Sequence, residues 1–440
     1  MAGRSEDRRA RTAPPTRPNR PLHGSRLTRI SRGNDRGTEP GTPSEATGSL
    51  GLILLVEARA IIDRVRVPPL ITRKCPVTQS IGKLAGTTVR ARRDLPPRKV
   101  SAMDGYAVYL GSNPTRGPLT VHQGSPPSGA PLRRALRRGE ASYITTGAEL
   151  PAGANAIVRV EATRLEGDRL WLTRPTRIGQ DILAPGESME RGDLLLERGQ
   201  SLSAVHLAAL IAQRVRTIPT LRIRATILPF GDELIPGDSD NATGTPEFIG
   251  PTLASLLPFA EVELLPPIRD DPATVPRILA EASHRSDLLI TIGGSSAGRK
   301  DVTKASLRQV GDLLFEGVTT NVLKRGAVGL VSGTPVVVLP GQLIAAITVF
   351  HEHGLHVLSR MVGRELRRFE EVRLGTDLRV DHRMDSLFLF AISEGVATPL
   401  PWGVARITTL LGAQAFAVLD HDRQYRSGQR LRVQRLWSLN

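Results

Sequence analysis

The feature of this sequence that most constrains its fold is an alternation of two patterns between residues 221 and 365. Short apolar runs rich in β-branched residues alternate there with longer segments whose apolar residues recur at helical spacing. This alternation predicts an α/β domain with a mostly parallel sheet, helices on both faces and ligands at the carboxyl ends of its strands. The predicted strands cover 223–228, 262–265, 288–292 and 336–339, and the predicted helices lie near 251–257, 272–283, 302–312 and 343–362.

The strand at 288–292 leads directly into a glycine-rich turn, Gly293–Gly298, and the segment after the turn has helical spacing. A strand, a glycine turn and a helix start bring several backbone N–H groups together at the positive end of a helix dipole, where a phosphate or another oxyanion can bind. The same residues also fit a tight βα connection in which Asp301 caps the helix. The pattern is neither G-x-G-x-x-G nor a Walker motif, so the residues alone leave both interpretations open.

The chain is strongly basic, with a formal net charge of +16 at pH 7. Such a charge suits nucleic acid or phosphorylated ligands, but aromatic residues make up only 4% and offer no obvious base-stacking platform. A basic nucleic-acid-binding protein is therefore a less favoured interpretation of the charge than a protein that binds a phosphorylated ligand. The single cysteine, Cys75, excludes a disulfide framework and favours a reducing compartment. Since no apolar run approaches a membrane span and no signal peptide is evident, we expect a cytoplasmic location.

Composition and patterning divide the chain into four parts. The first contains ten arginines against five acidic residues and almost no apolar periodicity, which predicts a disordered leader, or an overcalled start codon. The second begins with predicted helices at 56–65 and 80–85, and the last consists of short β-type runs such as 387–392, which predicts an all-β domain. The predicted boundaries are 1–48, 49–220, 221–365 and 366–440.

A motif in the second part gives the chain a family resemblance. The octapeptide Ser101–Val108, SAMDGYAV, follows the turn Asp94–Pro97 and resembles the signature of the molybdopterin molybdenumtransferases, the MoeA family, which includes the gephyrin E domain. An Asp before a Gly also occurs in ordinary turns, but an eight-residue match is far more specific. The similarity extends over roughly residues 50–435, with further matching segments at Ile144–Ala148, Gly153–Val158, Gly231–Leu234, Asp270–Pro272, Gly293–Lys304 and Val338–Gln342.

The resemblance implies a multidomain α/β fold: an elongated N-terminal mixed α+β region, a central MoaB/Mog-like molybdopterin-binding domain and a C-terminal all-β domain. It also implies a role in molybdenum cofactor biosynthesis, in which molybdate is inserted into adenylylated molybdopterin and AMP is released, with Mg²⁺ assisting. The implied enzyme is a homodimer that interacts with other cofactor-assembly proteins or with a molybdoenzyme. The residues do not distinguish molybdate from tungstate.

The resemblance also implies site residues, position by position. The implied catalytic acids are Asp104, which would cross a dimer interface, and Glu233, Asp271 (or its neighbour Asp270) and Asp301. Asp104, Glu233 and Asp301 would hold the metal, since Mg²⁺ prefers carboxylate oxygens. Each acid also has a plain structural role open to it, such as helix capping. The implied cofactor-binding residues are Gly293, Gly294, Ser295, Ser296, Gly298, Lys304, Lys324, Pro340 and Gly341.

Several positions depart from the family pattern. Ser188 stands where the family has an Asp, and Phe230 replaces a Thr and cannot make a hydrogen bond through its side chain. These changes fit a site for a different pterin nucleotide or oxyanion. They also fit a non-catalytic molybdopterin-binding or scaffold paralogue that stores or delivers the cofactor. The other altered positions are Glu247-Phe248-Ile249, Ala327 and Gln342.

The segment His351-Glu352-His353, followed by His356, superficially resembles a metal-ligand cluster. On a helix, however, His353 and His356 share a face while His351 points elsewhere. The MoeA resemblance places an ordinary structural helix here. We therefore expect these histidines to be structural.

Overall fold

The computed structural model of the protein describes residues 51–111, 118–122, 135–239, 243–294, 301–380, 383–401 and 406–437. All of these residues belong to the unit Leu50–Asn440. The predicted leader, residues 1–48, lies outside the described residues. The predicted fold class is confirmed: the described part combines an N-terminal mixed region, a central α/β sheet and a C-terminal barrel.

Where the structure describes it, the N-terminal region consists mainly of short strands and contains two α-helices, α1 (Leu55–Arg64) and α2 (Ala204–Ala212). Its strands are β1 (Thr72–Pro76), β2 (Val89–Arg90), β3 (Val100–Ser101), β4 (Gly105–Val108), β5 (Leu119–Val121), β6 (Glu140–Ile144), β7 (Ala156–Arg159), β8 (Thr163–Glu166), β9 (Arg169–Leu172), β10 (Ile182–Leu183), β11 (Leu194–Leu196) and β12 (Thr217–Leu221). Six of them form a sheet in the order β7-β4-β6-β5-β9-β8, and the others pair as β1–β12, β2–β11 and β3–β10. The SAMDGYAV motif supplies β4, which is buried within the larger sheet.

The helix predicted at 80–85 is wrong. Gly82 has a φ of +80°, which an α-helix does not allow, and the following residues Leu84 and Ala85 form isolated bridges to Ser201 and Thr220. The spacing of a few apolar residues carries no information about bridge partners that lie more than a hundred residues away in the sequence. The helix predicted at 56–65 is confirmed as α1, whose residues Ala58 and Ile62 are fully buried.

The central region contains the sheet predicted from the alternating pattern. Its order is β16-β13-β17-β20-β19-β18, and the first four strands are parallel. Every residue of β17 and β20 is buried, as expected for strands covered on both faces. Strands β18 and β19, which pair antiparallel at one edge, were not predicted. The strands of this region are β13 (Arg224–Pro229), β14 (Leu234–Ile235), β15 (Thr245–Pro246), β16 (Glu261–Leu264), β17 (Leu288–Ile292), β18 (Asp312–Phe315), β19 (Ala327–Val331) and β20 (Thr334–Leu339).

The four predicted helical segments of this region are also helical in the structure. They are α3 (Ile249–Ser255), α4 (Val275–Arg285), α5 (Val302–Val310) and a long last segment. That last segment comprises α6 (Leu343–Val349), a π-helical turn (Phe350–Gly354) and α7 (Leu355–Val362). Among the described residues, no helix is both long and apolar enough to cross a membrane.

The C-terminal region is a closed barrel in the order β21-β24-β23-β25-β27. Its strands are β21 (Phe369–Leu374), β22 (Leu378–Arg379), β23 (Ser386–Ser393), β24 (Val396–Pro399), β25 (Ala415–Leu419), β26 (Gln424–Tyr425) and β27 (Arg430–Arg435). The region is not strictly all-β, because a short helix, α8 (Ile407–Gly412), precedes β25. One apolar core joins α1, the central sheet, α6–α7 and the barrel, with Ile62, Ile290, Ile347 and Leu389 among its buried residues.

Candidate active site at the carboxyl ends of the central sheet

A cavity of about 290 Å³ lies at the carboxyl ends of β13, β17 and β20. This is the edge at which a parallel α/β sheet usually binds its ligand. The turns that follow these three strands form the part of the lining called here the floor of the cavity. Phe230 and Gly231 follow β13, Gly293 and Gly294 follow β17, and Pro340 and Gly341 follow β20. Three segments far apart in sequence therefore converge on one site, as the alternating pattern predicts.

Two glycines keep the floor of the cavity open. Gly293 has a φ of +79°, and a Cβ at this position would come within 2.3 Å of the carbonyl oxygen of Phe230. Gly294 has a φ of +60°, and its Cβ would come within 2.3 Å of the Thr303 hydroxyl oxygen. Both positions require glycine, because residues with a side chain rarely adopt a positive φ and because a Cβ atom would clash with its neighbour. The turn residues Ser295, Ser296 and Gly298, which the sequence assigns to cofactor binding, lie outside the described residues.

The polar lining of the cavity is dominated by acids. Glu233, Glu247 and Asp270 line it, together with the amide of Gln342 and the guanidinium of Arg325. Glu247 is only 6% exposed, and its Oε1 accepts a hydrogen bond of 2.8 Å from the backbone N–H of Gly250 in the first turn of α3. Arg325 forms no ion pair with any other residue that the structure describes, so its charge is available to an anion in the cavity.

The structure separates the two adjacent acids that the sequence left as alternatives. Asp270 lines the cavity, whereas Asp271 lies in the turn before α4. The Asp271 carboxylate accepts hydrogen bonds from the Thr274 hydroxyl and from the backbone N–H of Ala273. These bonds lower the pKa of Asp271. Asp271 thus has a structural role in the turn before α4, although it does not cap the helix itself, and Asp270 is the better placed of the two to contact a ligand.

Asp301 caps α5 and holds a buried lysine. Its Oδ1 accepts a hydrogen bond of 3.0 Å from the backbone N–H of Lys304, and its Oδ2 lies 3.2 Å from Lys304 Nζ. The Lys304 side chain is 10% exposed. Asp301 therefore orients a nearly buried ammonium group at the start of the helix that follows the glycine turn. Neither residue is part of the cavity lining, although Thr303 between them donates a hydrogen bond to the carbonyl of Gly293.

Asp104 lies in the turn between β3 and β4 of the N-terminal sheet and is not part of the cavity lining within one chain. Its Oδ1 accepts hydrogen bonds from the backbone N–H and the hydroxyl of Thr146, at 2.6 and 2.9 Å. These two bonds lower the pKa of Asp104, so the exposed carboxylate is ionised at neutral pH. The conformation of this acid is fixed, and it remains accessible to a second molecule.

The basic residue of the loop that meets the cavity is not the predicted one. Lys324 is exposed within the 3₁₀ turn Leu323–Arg325, whereas its neighbour Arg325 lines the cavity. The family resemblance predicts Lys324 as the binding residue, and nothing in the sequence favours Arg325 over it. Side chains in a 3₁₀ turn point in different directions from one residue to the next, so only one of these two neighbours can face the cavity.

The departures from the family pattern have different structural consequences. Phe230 is 2% exposed and packs into the apolar cluster of α4 and β17, and Ala327 is buried in β19. Ser188 is exposed in the turn before β11. Phe248 is different, because it is 40% exposed and lines the cavity. Its backbone is held in place by the neighbouring Glu247, whose N–H donates to the carbonyl of Ile235 at 2.9 Å. An aromatic ring is thus presented to the cavity on a fixed segment, at a position that the sequence indicates only as a departure from the family pattern.

Within the described residues, no group of three or more His, Cys, Asp or Glu side chains is arranged to hold a metal ion. The histidines of the π-helical turn and of the first turn of α7 have other surroundings. His351 contacts the carbonyl oxygens of Ile347 and Leu436, His356 Nε2 lies 2.8 Å from Asp63, and His353 is fully buried. His351 thus faces the end of the barrel and His356 faces α1, whereas the ring of His353 packs against Phe315 of β18.

Comparison with known families identifies the first two of the three regions, the N-terminal region and the central α/β region. Residues 53–213 match the family described as "MoeA N-terminal region (domain I and II)", and residues 226–360 match the "Probable molybdopterin binding domain". The second match covers the central sheet and its cavity. A molybdopterin-binding type of α/β domain that follows a MoeA-type N-terminal region defines the class of protein.

Curated relatives resemble the chain over most of their length. The chain is 32% identical over 311 residues to molybdopterin molybdenumtransferase 2 of Mycobacterium tuberculosis, covering 66% of this chain and 77% of the relative. It is 28% identical to the molybdopterin molybdenumtransferase of Haemophilus influenzae, covering 71% and 79% of the two chains. The chain belongs to the molybdopterin molybdenumtransferase (MoeA) family. It is accordingly a transferase with a role in molybdenum cofactor biosynthesis.

A solved structure shares the fold. The crystal structure of the molybdopterin biosynthesis MoeA protein from Pyrococcus horikoshii superposes with a TM-score of 0.72 at 23% identity, covering 88% of this chain and 100% of that chain. The predicted succession of an N-terminal mixed region, a molybdopterin-binding α/β domain and a C-terminal β domain is therefore confirmed.

Proposed function

We propose that the protein inserts molybdate into the dithiolene of adenylylated molybdopterin, with hydrolysis of the adenylate and release of AMP. The observation that carries this proposal is the cavity at the carboxyl ends of β13, β17 and β20. It combines a glycine floor, the guanidinium of Arg325 and the carboxylates of Glu233 and Asp270. A guanidinium suits an oxyanion or phosphate, and carboxylates accept hydrogen bonds from the amino and N–H groups of a pterin.

Asp301 and Lys304 are proposed to act on the phosphate side of the substrate. Their ion pair lies directly after the glycine turn, so the ammonium group adds positive charge where a pterin phosphate would meet the start of α5. We propose that Glu233 and Asp301 contribute carboxylates in one subunit. Asp104 would contribute a third from the other subunit of a homodimer, which its fixed and accessible position in the N-terminal sheet supports.

Mg²⁺ is part of this proposal as a companion of the substrate. Mg²⁺ is commonly bound by one or two carboxylates together with substrate phosphates, and it supplies charge neutralisation at those phosphates when bound. Glu233, Asp301 and the other subunit's copy of Asp104 offer hard oxygen ligands of that kind. The described residues of one chain form no complete metal site of their own, which fits a cation that arrives with its substrate. The free, buried thiol of Cys75 fits a reducing compartment such as the cytoplasm.

A non-catalytic molybdopterin-binding or scaffold role is the second candidate. It is favoured by the apolar side chains at Phe230, Ile249 and Ala327, all of which are buried and offer no polar group to a substrate. It is opposed by the presence of a guanidinium, that of Arg325, and by the acids that line the cavity. The two candidates differ in turnover and share ligand binding, so one assay separates them.

The first test is AMP release from adenylylated molybdopterin in the presence of molybdate and Mg²⁺. We expect molybdate-dependent release by the wild-type protein and a loss of roughly 100-fold in the Asp301→Asn variant, because removal of one preorganised charged group costs about that much in comparable sites. Asparagine still caps a helix, so the variant should fold. Asp377→Asn is the matched control, because Asp377 accepts a hydrogen bond from Ser427 and pairs with Arg426 in the barrel, outside the site.

The outcomes of this assay are distinct. Tight binding of the pterin nucleotide without AMP release would support the scaffold role and contradict turnover. Absence of both binding and release would contradict both candidates. Equal loss in the Asp301→Asn and Asp377→Asn variants would show that the effect is general destabilisation.

Phe248 provides a second prediction for the same site. We expect Phe248→Ala to raise the KM for the pterin nucleotide about tenfold, because stacking of a planar heterocycle on an aromatic ring contributes about 1–3 kcal/mol. Phe248→Tyr keeps the ring and should retain wild-type KM. Trp171→Ala removes an aromatic side chain of similar exposure, 37%, from β9 and serves as the control. An unchanged KM in Phe248→Ala would exclude stacking on this ring.

A further inference from the structure

A second cavity, of about 330 Å³, lies between α1, the π-helical turn and the C-terminal barrel. It does not share any lining residue with the cavity of the central sheet. Side chains of α1, of the π-helical turn, of the segment that leads into the barrel, and of barrel strands β21, β25 and β27 line it. The junction of these elements is thus not closed by apolar packing alone.

The charged groups of this second cavity are arranged in a defined network. Arg59 donates two hydrogen bonds to Glu352, at 2.7 and 3.0 Å, although Glu352 is only 1% exposed. Arg367 pairs with Glu365 in the same two-point way, at 3.0 and 2.7 Å. Arg432 forms no ion pair within the described part of the chain, and its guanidinium lies 4.4 Å from the ring centroid of Phe369. Three guanidinium groups therefore face two carboxylates, which leaves one positive charge over.

Two buried polar atoms in the lining have no hydrogen-bond partner among the described residues. Arg367 Nη1 is one of them, and its closest acid, Glu352 Oε1, lies 3.6 Å away, beyond hydrogen-bond distance. The second is Gln434 Oε1. Gln434 Nε2 donates a hydrogen bond of 2.8 Å to the carbonyl of His351, which fixes the amide so that the remaining atom is the oxygen. Buried polar groups are normally paired, so an unpaired donor and an unpaired acceptor in one cavity indicate an additional ligand.

We propose that this cavity binds a phosphate group, as free phosphate or as a phosphomonoester, in its monoanionic form, which retains a P–OH group. Phosphate oxygens would accept hydrogen bonds from Arg367 Nη1 and Arg432, and the P–OH group would donate to Gln434 Oε1. The excess positive charge of the lining matches one negative charge on the ligand. Because Gln434 Oε1 can only accept, it discriminates against sulfate and molybdate, which carry no proton at neutral pH. The site is independent of the activity proposed for the central cavity.

The test is isothermal titration of the full chain with inorganic phosphate, sulfate and molybdate near pH 6.5. We expect phosphate to bind with an affinity at least tenfold higher than that of sulfate, since one charge-assisted or buried hydrogen bond accounts for about that factor. Arg432→Gln should weaken phosphate binding about tenfold. Gln434→Leu should likewise reduce the preference for phosphate over sulfate, but Gln434 is buried and this variant can fail to fold. Arg432 is exposed, so Arg432→Gln should fold and tests the proposal in either case. Asp377→Asn, at a position that lines neither cavity, is the control and should leave the phosphate affinity unchanged.

Several results would overturn this proposal. Equal binding of phosphate and sulfate would exclude the role of Gln434, and unaltered phosphate binding in Arg432→Gln would place the anion elsewhere. No phosphate binding at millimolar concentration would mean that water alone forms hydrogen bonds with the two buried atoms.

A competition experiment with AMP distinguishes the two sources of the phosphate group. Competition by AMP against phosphate, retained in Asp301→Asn and lost in Arg432→Gln, would identify a phosphomonoester as the occupant in place of free phosphate.

Discussion

Arg59→Ala is expected to lower the free energy of unfolding by roughly 3 kcal/mol, because it leaves a buried carboxylate without its main partner. The Glu352 side chain is 1% exposed and its two oxygens accept the Arg59 hydrogen bonds. Burial alone would raise the pKa of Glu352, but the hydrogen bonds and charge of Arg59 outweigh it and hold that pKa below its ordinary value. Arg367, 3.6 Å away, compensates for part of the loss, which places the effect at the low end of the range for broken buried pairs.

Urea unfolding at pH 7 measures this effect, with two comparisons. Arg222→Ala breaks a pair of similar length, 2.8 Å to Glu261, in which both side chains are at least 36% exposed, and should cost less than about 1 kcal/mol. The double variant Arg59→Ala/Glu352→Gln removes the uncompensated charge and should recover a large part of the stability. If Arg59→Ala and Arg222→Ala were equally mild, the buried carboxylate would be hydrated through the cavity and the ion pair would carry little of the fold's stability.

The central sheet could be predicted from the sequence because its pattern is local. Buried parallel strands such as β17 are continuous apolar runs, and the helices between them have their own period, so the succession is legible without knowledge of distant contacts. The floor of the cavity follows from the same logic, since glycines after a strand mark a close backbone approach. Gly293 and Gly294 confirm this in their positive φ values.

The remaining parts depend on contacts between distant residues. Arg59 and Glu352 are 293 positions apart, and neither residue has a local pattern that pairs it with the other. The antiparallel strands β18 and β19 are short, and β19 contains a glycine, so their pairing is decided by the edge of the sheet that they cover. In the site, the sequence identified Glu233 but not the roles of Phe248 and Arg325. Whether these two side chains line the cavity depends on the direction in which each points, Phe248 from the start of α3 and Arg325 from the end of a 3₁₀ turn.

The stability of the protein should fall as the pH is lowered from about 6.5 to about 4, and His353 is the main reason. Its ring is fully buried, and neither ring nitrogen has a hydrogen-bond partner among the described residues. Burial lowers the pKa of His353 to about 4. In the unfolded chain the same ring is protonated below about 6.5. The unfolded state therefore binds a proton over this interval that the folded state does not, and stability is lost as the pH falls.

The size of this loss follows from the two pKa values. A difference of about 2.5 units corresponds to roughly 3 kcal/mol, and the loss is complete near pH 4, where the folded state also becomes protonated. His351 adds to it in the same direction, because burial lowers its pKa as well. Glu365 acts at lower pH. Although burial opposes it, hydrogen bonds from Arg367 lower the pKa of Glu365 to about 2, so its contribution is present above about pH 4.5 and is lost as the pH falls towards 2.

His353→Leu separates this contribution from the others. Leucine fills a similar volume and needs no hydrogen-bond partner, so stability at pH 7.5 should change little, or rise. Urea unfolding at pH 7.5, 5.5 and 4.5 should then show a much shallower decline than that of the wild-type protein. His284→Leu, at an exposed position in the last turn of α4, is the control and should keep the wild-type pH dependence. A decline in His353→Leu as steep as in the wild-type protein would mean that the buried ring already takes up its proton in the folded state. In that case, water or a local rearrangement gives the ring a polar partner in the core beside Phe315 of β18.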